Sequence, residues 1–411
     1  MVRNEKNQQG KTKNGLQYYI FPRKEFGEKM AAIVVKRGAN HLLWKGENGE
    51  DITFPQGTAH FIEHKLFQQE WGDAFMKFAQ NGASANAFTD GDKTVYYFTC
   101  REKFLENLKV LLDFVQTPFF TEEDTEQEKS IITSEISMYD DDPSWVVYYQ
   151  MLNGMYENHP VRNQIAGTAE TVQKITSETL QKAYEVSYTT ENMAFICGGD
   201  IPVRQVRGML ETMQRKTAEA CVYFPVEQNE IIEKYQERAM GLSQTNFQIG
   251  FKFPSIPKES WLKRRIAMGF LLELLAGESS HFYKKAYEKG FLDEPLGTAF
   301  FCGEGYAFAA FSGTGEHPEE TAELLSKELK RLQKNGLDWT DFRRIRKKML
   351  GRFLRRLDSP VSLCMGQIEW AMMGATAAEV LDCIKALPVA EAEKLLQNIF
   401  CEDTMILSVV K

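Results

Sequence analysis

The stretch Gly57-Thr-Ala-His60-Phe-Ile-Glu63-His64-Lys-Leu-Phe67 is the most informative part of the 411-residue chain. Pro55 suits the first turn of a helix, and the apolar residues that follow recur at helical spacing. On a helix, His60 and His64 lie one above the other on the same face, where two imidazoles can bind one zinc ion. Glu63 precedes His64, and its carboxylate can take a proton from a metal-bound water. The H-x-x-E-H order therefore predicts a zinc site on a helix, although a helix surface can carry such a pattern by accident.

A third ligand is needed because a catalytic zinc site has three protein ligands and one open position. The other histidines are distant in the sequence, so a carboxylate is the better candidate. On a helix predicted from Thr121 to Tyr139, Glu128 and Glu135 are seven residues apart and share a face. Apolar neighbours turn the Glu135 side of this helix inward, and a buried carboxylate needs a partner such as a metal. Glu128 has an alternative interpretation, because it ends an acidic run that is typical of a solvated helix face.

Composition excludes several classes of protein. Hydrophobic residues make up 43% and charged residues 26%, which excludes disordered, collagenous and disulfide-stapled chains. The net charge of −8 argues against nucleic acid as a partner, since that binding depends on phosphate neutralisation. The first residues lack the apolar core of a secretory signal, and no apolar run is long enough to cross a membrane. The seven cysteines are scattered and odd in number, so we expect reduced thiols in a cytoplasmic protein.

The order of predicted elements repeats along the chain. A strand, helices and a two-stranded hairpin are predicted in the first half, and the same order follows in the second half. A charged segment between the halves is typical of a linker. We therefore predict an N-terminal zinc-bearing domain at 1–225, a linker at 226–240 and a C-terminal domain of similar architecture at 241–411. Each domain is expected to be a sheet covered by helices on one side.

The sequence resembles the pitrilysin/insulinase family of zinc metallopeptidases, a family of inverzincins. The resemblance rests on the H-x-x-E-H stretch, on Gly82-Ala-Ser-Ala-Asn86-Ala-Phe-Thr89 and on the segment from Glu128 to Glu135. It covers the first half well, whereas the second half matches loosely and in element order. It implies an α+β fold of two homologous α/β-roll halves, each a mostly antiparallel sheet packed with helices on one side.

The resemblance also implies roles for individual residues. It implies one zinc ion per chain, held by His60, His64 and Glu135. Glu63 would be the catalytic base that activates the attacking water. Glu128 would contact the metal ligands without itself binding the metal.

A strand edge beside the motif is implied to bind the substrate. In the family such an edge, here at Asn86 and Ala87, pairs with the backbone of an extended peptide. The implied function is that of a zinc-dependent endopeptidase that hydrolyses extended peptides. An alternative for Asn86 is an ordinary residue at a turn or hairpin end.

The second half departs from the family pattern at two positions. The family's second half supplies an Arg and a Tyr that grip the substrate, but Tyr287 or Phe291 occupies the Arg position here and Thr298 the Tyr position. Some family members divide the zinc and the Arg/Tyr pair between two related subunits. The resemblance therefore implies a homodimer, or a heterodimer with a related subunit that carries the pair. The alternative is a zinc-binding structural or assembly subunit without significant peptidase turnover.

Overall fold

The computed structural model describes residues 7–214 and 220–411, in which two large sheets pack against helices. The strands, in chain order, are β1 Gln8–Lys11, β2 Gln17–Pro22, β3 Lys29–Val35, β4 Leu43–Gly46, β5 Asp51–Thr53, β6 Gln68–Gln69, β7 Gly72–Asp73, β8 Ala83–Thr89, β9 Thr94–Cys100, β10 Met193–Gly199, β11 Ala220–Val222, β12 Tyr235–Arg238, β13 Asn246–Phe253, β14 Gly297–Gly303, β15 Tyr306–Thr314 and β16 Met405–Val410.

Helices connect and cover these strands. In chain order they are α1 Thr58–Leu66, α2 Ala74–Gln80, α3 Phe104–Gln116, α4 Glu122–Asp140, α5 Pro143–Met155, α6 Ala169–Gln173, α7 Ser177–Ser187, α8 Val203–Leu210, α9 Trp261–Ala276, α10 His281–Glu288, α11 Pro318–Asn335, α12 Trp339–Arg356, α13 Pro360–Met372, α14 Ala377–Ala386 and α15 Val389–Ile399. The predicted α+β fold class is confirmed.

The first large sheet belongs to unit 1, which comprises the described residues of Met1–Ile136, Gln164–Tyr223 and Leu354–Gly374. Its strand order is β1-β2-β10-β3-β9-β8. Only β2 and β10 run parallel, and the other neighbours are antiparallel. Strands β3 and β10 are buried almost throughout, and α3 and α13 both contact β3. This continuous burial explains their uninterrupted apolar sequences, since neither face of these central strands meets water.

The last strand of this sheet, β8, is an edge strand. Within the described residues it pairs with β9 alone, from Ala83 opposite Cys100 to Thr89 opposite Thr94. Helices α1 and α2 both contact β8. The predicted hairpin between these two strands is confirmed, and it places an unpaired strand edge beside the helix that carries the histidine motif.

The second large sheet belongs to unit 2, which comprises Ser137–Asn163, Phe224–Phe353 and Ala375–Lys411. Its order is β12-β16-β13-β15-β14, and only β12 and β16 run parallel. Helix α5 lies in the first half of the sequence but packs against β13 and β16 of this sheet. The two packing units therefore do not follow a single cut in the sequence. The boundaries expected at 1–225 and 241–411 stay a prediction.

The segment expected to be a linker, 226–240, packs into unit 2. It contains β12, and it is held by the buried ion pair between Glu227 and Lys252 (Oε1 to Nζ, 2.8 Å). The carboxylate of Glu227 also accepts hydrogen bonds from the backbone N–H groups of residues 157–159. Charged residues in this segment predict a solvated connection, but one of those charges, on Glu227, is paired inside the fold.

No helix in the described ranges is both long enough and apolar enough to span a lipid bilayer.

A fully buried histidine, His159, ties several parts of unit 2 together. Its Nδ1 accepts a hydrogen bond from the Val161 N–H (3.1 Å), and its Nε2–H donates to the backbone oxygen of Glu304 (2.9 Å). Its ring stacks on Phe224, with the ring centroids 5.0 Å apart. Burial lowers the pKa of His159 to about 4, so the imidazole is neutral in the folded protein at neutral pH.

We predict that His159 makes the fold sensitive to acid. Its pKa is about 4 when folded and roughly 6.5 when unfolded, so protonation favours the unfolded chain. Its contribution is complete above pH 6.5 and declines as the pH falls towards 4. Denaturant unfolding of the chelator-treated protein should show a smaller loss of unfolding free energy over this range in His159→Gln than in the parent. The control is His317→Gln, at an exposed site, and an unchanged pH dependence in His159→Gln would contradict the prediction.

Candidate metal centre

Helix α1 begins at a position that requires glycine. Gly57 has a φ of 91°, in the left-handed region, and an added Cβ would lie 2.4 Å from the backbone oxygen of Ala166. Any side chain would therefore push α1 away from the segment around Gly167. The close approach fixes where the helix starts, and it thereby sets the direction in which His60 and His64 project.

Three side chains from α1 and α4 converge on one point. Nε2 of His60 lies 3.7 Å from Oε1 of Glu135, and Nε2 of His64 lies 3.5 Å from Oε2 of the same carboxylate. The two imidazole rings are 4.5 Å apart between centroids. In the described part of the chain these residues form a group of potential ligand atoms that all lie within 4.8 Å of one another.

The spacing of this trio fits a zinc ion. Imidazole nitrogens and carboxylate oxygens bind zinc at roughly 2.1 Å, so two ligands of a tetrahedral ion lie about 3.4 Å apart. The two separations between histidine nitrogens and carboxylate oxygens are close to that value. Two neutral nitrogens and one carboxylate also match the ligand set of known catalytic zinc sites. The residues present therefore suit the metal that the motif predicts.

The surroundings favour a metal-binding form of His60. Burial and, to a smaller extent, the neighbouring His64 lower the pKa of His60 to about 4, so the ring is neutral near pH 7 and keeps a lone pair for a metal. Its Nδ1 is buried and has no hydrogen-bond partner among the described residues. Nothing in that part of the chain therefore fixes which nitrogen of His60 carries the proton.

His64 is oriented by Glu128. The Nδ1–H of His64 donates to Oε1 of Glu128 at 3.0 Å, which leaves Nε2 directed to Glu135. Burial lowers the pKa of His64, but the hydrogen bond and charge of Glu128, with the charges of Glu63 and Glu135, outweigh burial and raise it. Glu128 is buried, unlike the acidic residues at the start of α4, and Nζ of Lys65 lies 3.9 Å from its Oε2. The solvated-face interpretation of Glu128 is therefore wrong.

The carboxylate of Glu63 is buried beside the trio and is held by a residue that the sequence did not single out. The Thr89 hydroxyl donates to Oε2 of Glu63 at 2.6 Å. Burial raises the pKa of Glu63, although the hydrogen bond from Thr89 opposes this shift. The only sequence signal for Thr89 was its place at the end of the matching segment around Asn86, three residues away.

Asn86 and Ala87 lie on the edge strand β8, as predicted. Asn86 is exposed, and its Oδ1 accepts a hydrogen bond from the Ala87 N–H at 2.8 Å. Both residues line an open groove of about 370 Å³ together with Glu63, His64 and Glu128. The apolar part of the lining includes Phe67, Phe75 and Ile131. The predicted base, one predicted metal ligand and the strand edge thus face one cavity.

The positions that depart from the family pattern lie in unit 2. Tyr287 is on α10 and is exposed, while Thr298 is near the start of β14, the edge strand of the second sheet. Phe291 lies in the connection between these elements. Within residues 7–214 and 220–411, no second cluster of potential metal ligands accompanies them.

Comparisons with known proteins find two matching family models and a similar relative. Residues 51–169 match the model of the insulinase family, peptidase family M16, and residues 174–349 match that of the M16 inactive domain. The uncharacterized zinc protease YmfH of Bacillus subtilis (strain 168) is 34% identical over 404 residues, which is 96% of this chain and 94% of the relative.

Solved structures show the same architecture. An M16-like peptidase from Alicyclobacillus acidocaldarius is 28% identical with a TM-score of 0.94, and the match covers 98% of each chain. Pitrilysin shares the fold with a TM-score of 0.75 at 14% identity, over the whole of this chain and 45% of its own. The chain therefore belongs to the insulinase family of peptidases, M16, as a two-domain member.

Proposed function

We propose that this protein is a zinc-dependent endopeptidase that hydrolyses extended peptides. The observation that carries the proposal is the convergence of His60, His64 and Glu135 within zinc-ligand spacing, next to the buried carboxylate of Glu63. The zinc protease name of its relative YmfH supports the same activity.

In this proposal His60, His64 and Glu135 hold one zinc ion per chain. When bound, zinc polarises a carbonyl group and lowers the pKa of a water molecule towards neutrality. Glu128 keeps Nδ1 of His64 protonated through its hydrogen bond, so that Nε2 presents its lone pair to the metal. The negative charge of Glu128 also makes the Nε2 lone pair of His64 a stronger ligand for a cation.

Glu63 moves the proton in the proposed reaction. Its carboxylate takes a proton from the attacking water and delivers it to the nitrogen of the leaving amine. Burial raises the pKa of Glu63, which suits a group that must accept a proton and then release it within one turnover. A zinc site with a purely structural role has no use for such a carboxylate.

The edge of β8 orients the substrate in the proposal. An extended peptide would pair its backbone with the free edge at Asn86 and Ala87, beside Glu63 and His64 in the same groove. Main-chain pairing depends little on side chains, so we infer broad selectivity for peptides that can adopt an extended conformation. The intrastrand hydrogen bond of Asn86 keeps its side chain close to this edge.

A related subunit completes the site in our proposal. The family's Arg and Tyr positions hold Tyr287 or Phe291 and Thr298, none of which offers the positive charge of an arginine. A heterodimer with a related chain that carries Arg and Tyr would supply the missing groups, whereas a homodimer would repeat the same two departures. The competing hypothesis is a zinc-binding assembly subunit, which these same positions favour.

We predict that zinc content distinguishes the ligand Glu135 from the base Glu63. Purified protein should contain about one zinc per chain. Glu135→Gln should lose most of this zinc because an amide is a weaker ligand than a carboxylate, whereas Glu63→Gln should retain it. Elemental analysis measures both, and Glu123→Gln, an exposed change on the same helix, is the control. Equal retention in the two site variants would remove Glu135 from the ligand set.

We predict that Glu128→Ala weakens zinc binding by about ten- to a hundredfold without abolishing it. The change removes the acceptor of the His64 Nδ1–H, so the ring loses its orientation and basicity. Competition with a zinc chelator of known affinity measures the effect. Glu126→Ala, at an exposed position two residues earlier on α4, should bind zinc like the parent. An unchanged affinity in Glu128→Ala would show that this glutamate does not support the site.

We predict that Glu63→Gln reduces peptidase turnover by about 10² to 10⁴-fold while zinc stays bound. Cleavage of an internally quenched peptide mixture measures turnover, with the chain alone and with the related Arg/Tyr subunit. Turnover that appears or rises with the second subunit supports the two-subunit proposal. A zinc-loaded parent that cleaves nothing in either case would favour the assembly function instead.

A further inference from the structure

We propose that Thr89 is a positioning residue that holds the carboxylate of Glu63 in the orientation needed for proton transfer. This inference rests on the proposed peptidase function, since it assigns Thr89 a part in the same reaction. The hydroxyl of Thr89 donates to Oε2 of Glu63 at 2.6 Å, which is the usual length of a hydrogen bond from a hydroxyl to a charged carboxylate.

Glu63 depends on this contact because it is a buried charged group on a helix. Only 8% of Glu63 is exposed, so water cannot easily replace a lost donor. Thr89 occupies Oε2, which leaves the other carboxylate oxygen to receive the proton of the attacking water. A carboxylate that is pinned through one oxygen cannot rotate freely about its side-chain torsions.

Thr89 is itself held rigidly. It is the last residue of β8, and Thr94 lies directly opposite on β9, with the two hydroxyl oxygens 3.4 Å apart. The hydroxyl of Thr94 also donates to the backbone oxygen of Arg37 at 3.2 Å, which ties the hairpin end to the chain after β3. Both threonines are buried, and a β-branched side chain has few rotamers in a strand. The donor thus comes from a fixed point of the sheet.

Strand β8 therefore contributes both to the groove proposed for the peptide and to the hydrogen bond that holds Glu63. Asn86 and Ala87 lie in the groove, while Thr89, two residues beyond Ala87, reaches Glu63. The strand that would pair with the peptide backbone is thereby coupled to the base by a short rigid segment. This arrangement keeps the distance between the bound peptide and the proton acceptor constant.

The test compares Thr89→Val, which removes the donor at nearly constant shape, with Thr89→Ser, which keeps it. In the full-length zinc-loaded protein with its subunit partner, Thr89→Val should lower kcat by about ten- to a hundredfold. KM and zinc content should stay within about twofold of the parent, and Thr89→Ser should recover most of kcat. The control is Thr99→Val, on the same hairpin but opposite Ser84, which should behave like the parent.

Crystal structures of the zinc-loaded parent and Thr89→Val provide a readout that does not depend on turnover. We expect a single carboxylate orientation of Glu63 in the parent, and a rotated carboxylate or two alternate conformers in the variant. An unchanged orientation, or equal losses of kcat in Thr89→Val and Thr89→Ser, would overturn the proposal. If the parent binds zinc but cleaves nothing, the proposed function fails, and the crystal structures still decide the role of Thr89. Thr89→Ala removes the same donor if Thr89→Val does not fold.

Discussion

The structure around the candidate site depends on one electrostatic constraint. The carboxylates of Glu63, Glu128 and Glu135 lie close to the imidazoles of His60 and His64, and Glu63, Glu128 and His60 are buried. Burying carboxylates without compensation is costly, so each needs a hydrogen bond or a cation. Thr89 donates to Glu63 and His64 donates to Glu128, and the carboxylate oxygens of Glu135 lie at zinc-ligand spacing from both imidazoles.

Regular helical spacing places these groups on shared helix faces. Helix α1 presents the two imidazoles because four residues make about one turn, and α4 presents two glutamates because seven make about two. The glycine at position 57 allows α1 to start against the backbone of Ala166. Strand β8 is an edge strand that, among the described residues, pairs only with β9, and most proteins protect such edges against unwanted pairing. Here the open edge lies in the groove of the metal centre, where pairing with a peptide is the proposed use.

The second half of the chain has a similar sheet-and-helix architecture, but its described residues do not form a metal-ligand cluster. It has a mostly antiparallel sheet with an edge strand, and it matches the M16 inactive domain over much of its length. Its described residues hold no cluster of metal ligands, and the positions of the family's Arg and Tyr carry other residues. Fold and chemistry are thus separable in this protein, which is why a second subunit enters the proposed function.

The sequence by itself determined the features that depend on short-range periodicity. The helix that bears His60 and His64, the two-turn spacing of Glu128 and Glu135 and the β8–β9 hairpin all follow from repeats of 3.6 and 2 residues. Only the tertiary structure decided that Thr89 reaches Glu63 across 26 positions, and that Glu128 is buried against His64 instead of solvated. The same holds for the packing of α5 on the second sheet and for the buried ion pair between Glu227 and Lys252. These contacts join residues that are distant in sequence. Local periodicity carries no information about which distant side chains will form a hydrogen bond or an ion pair.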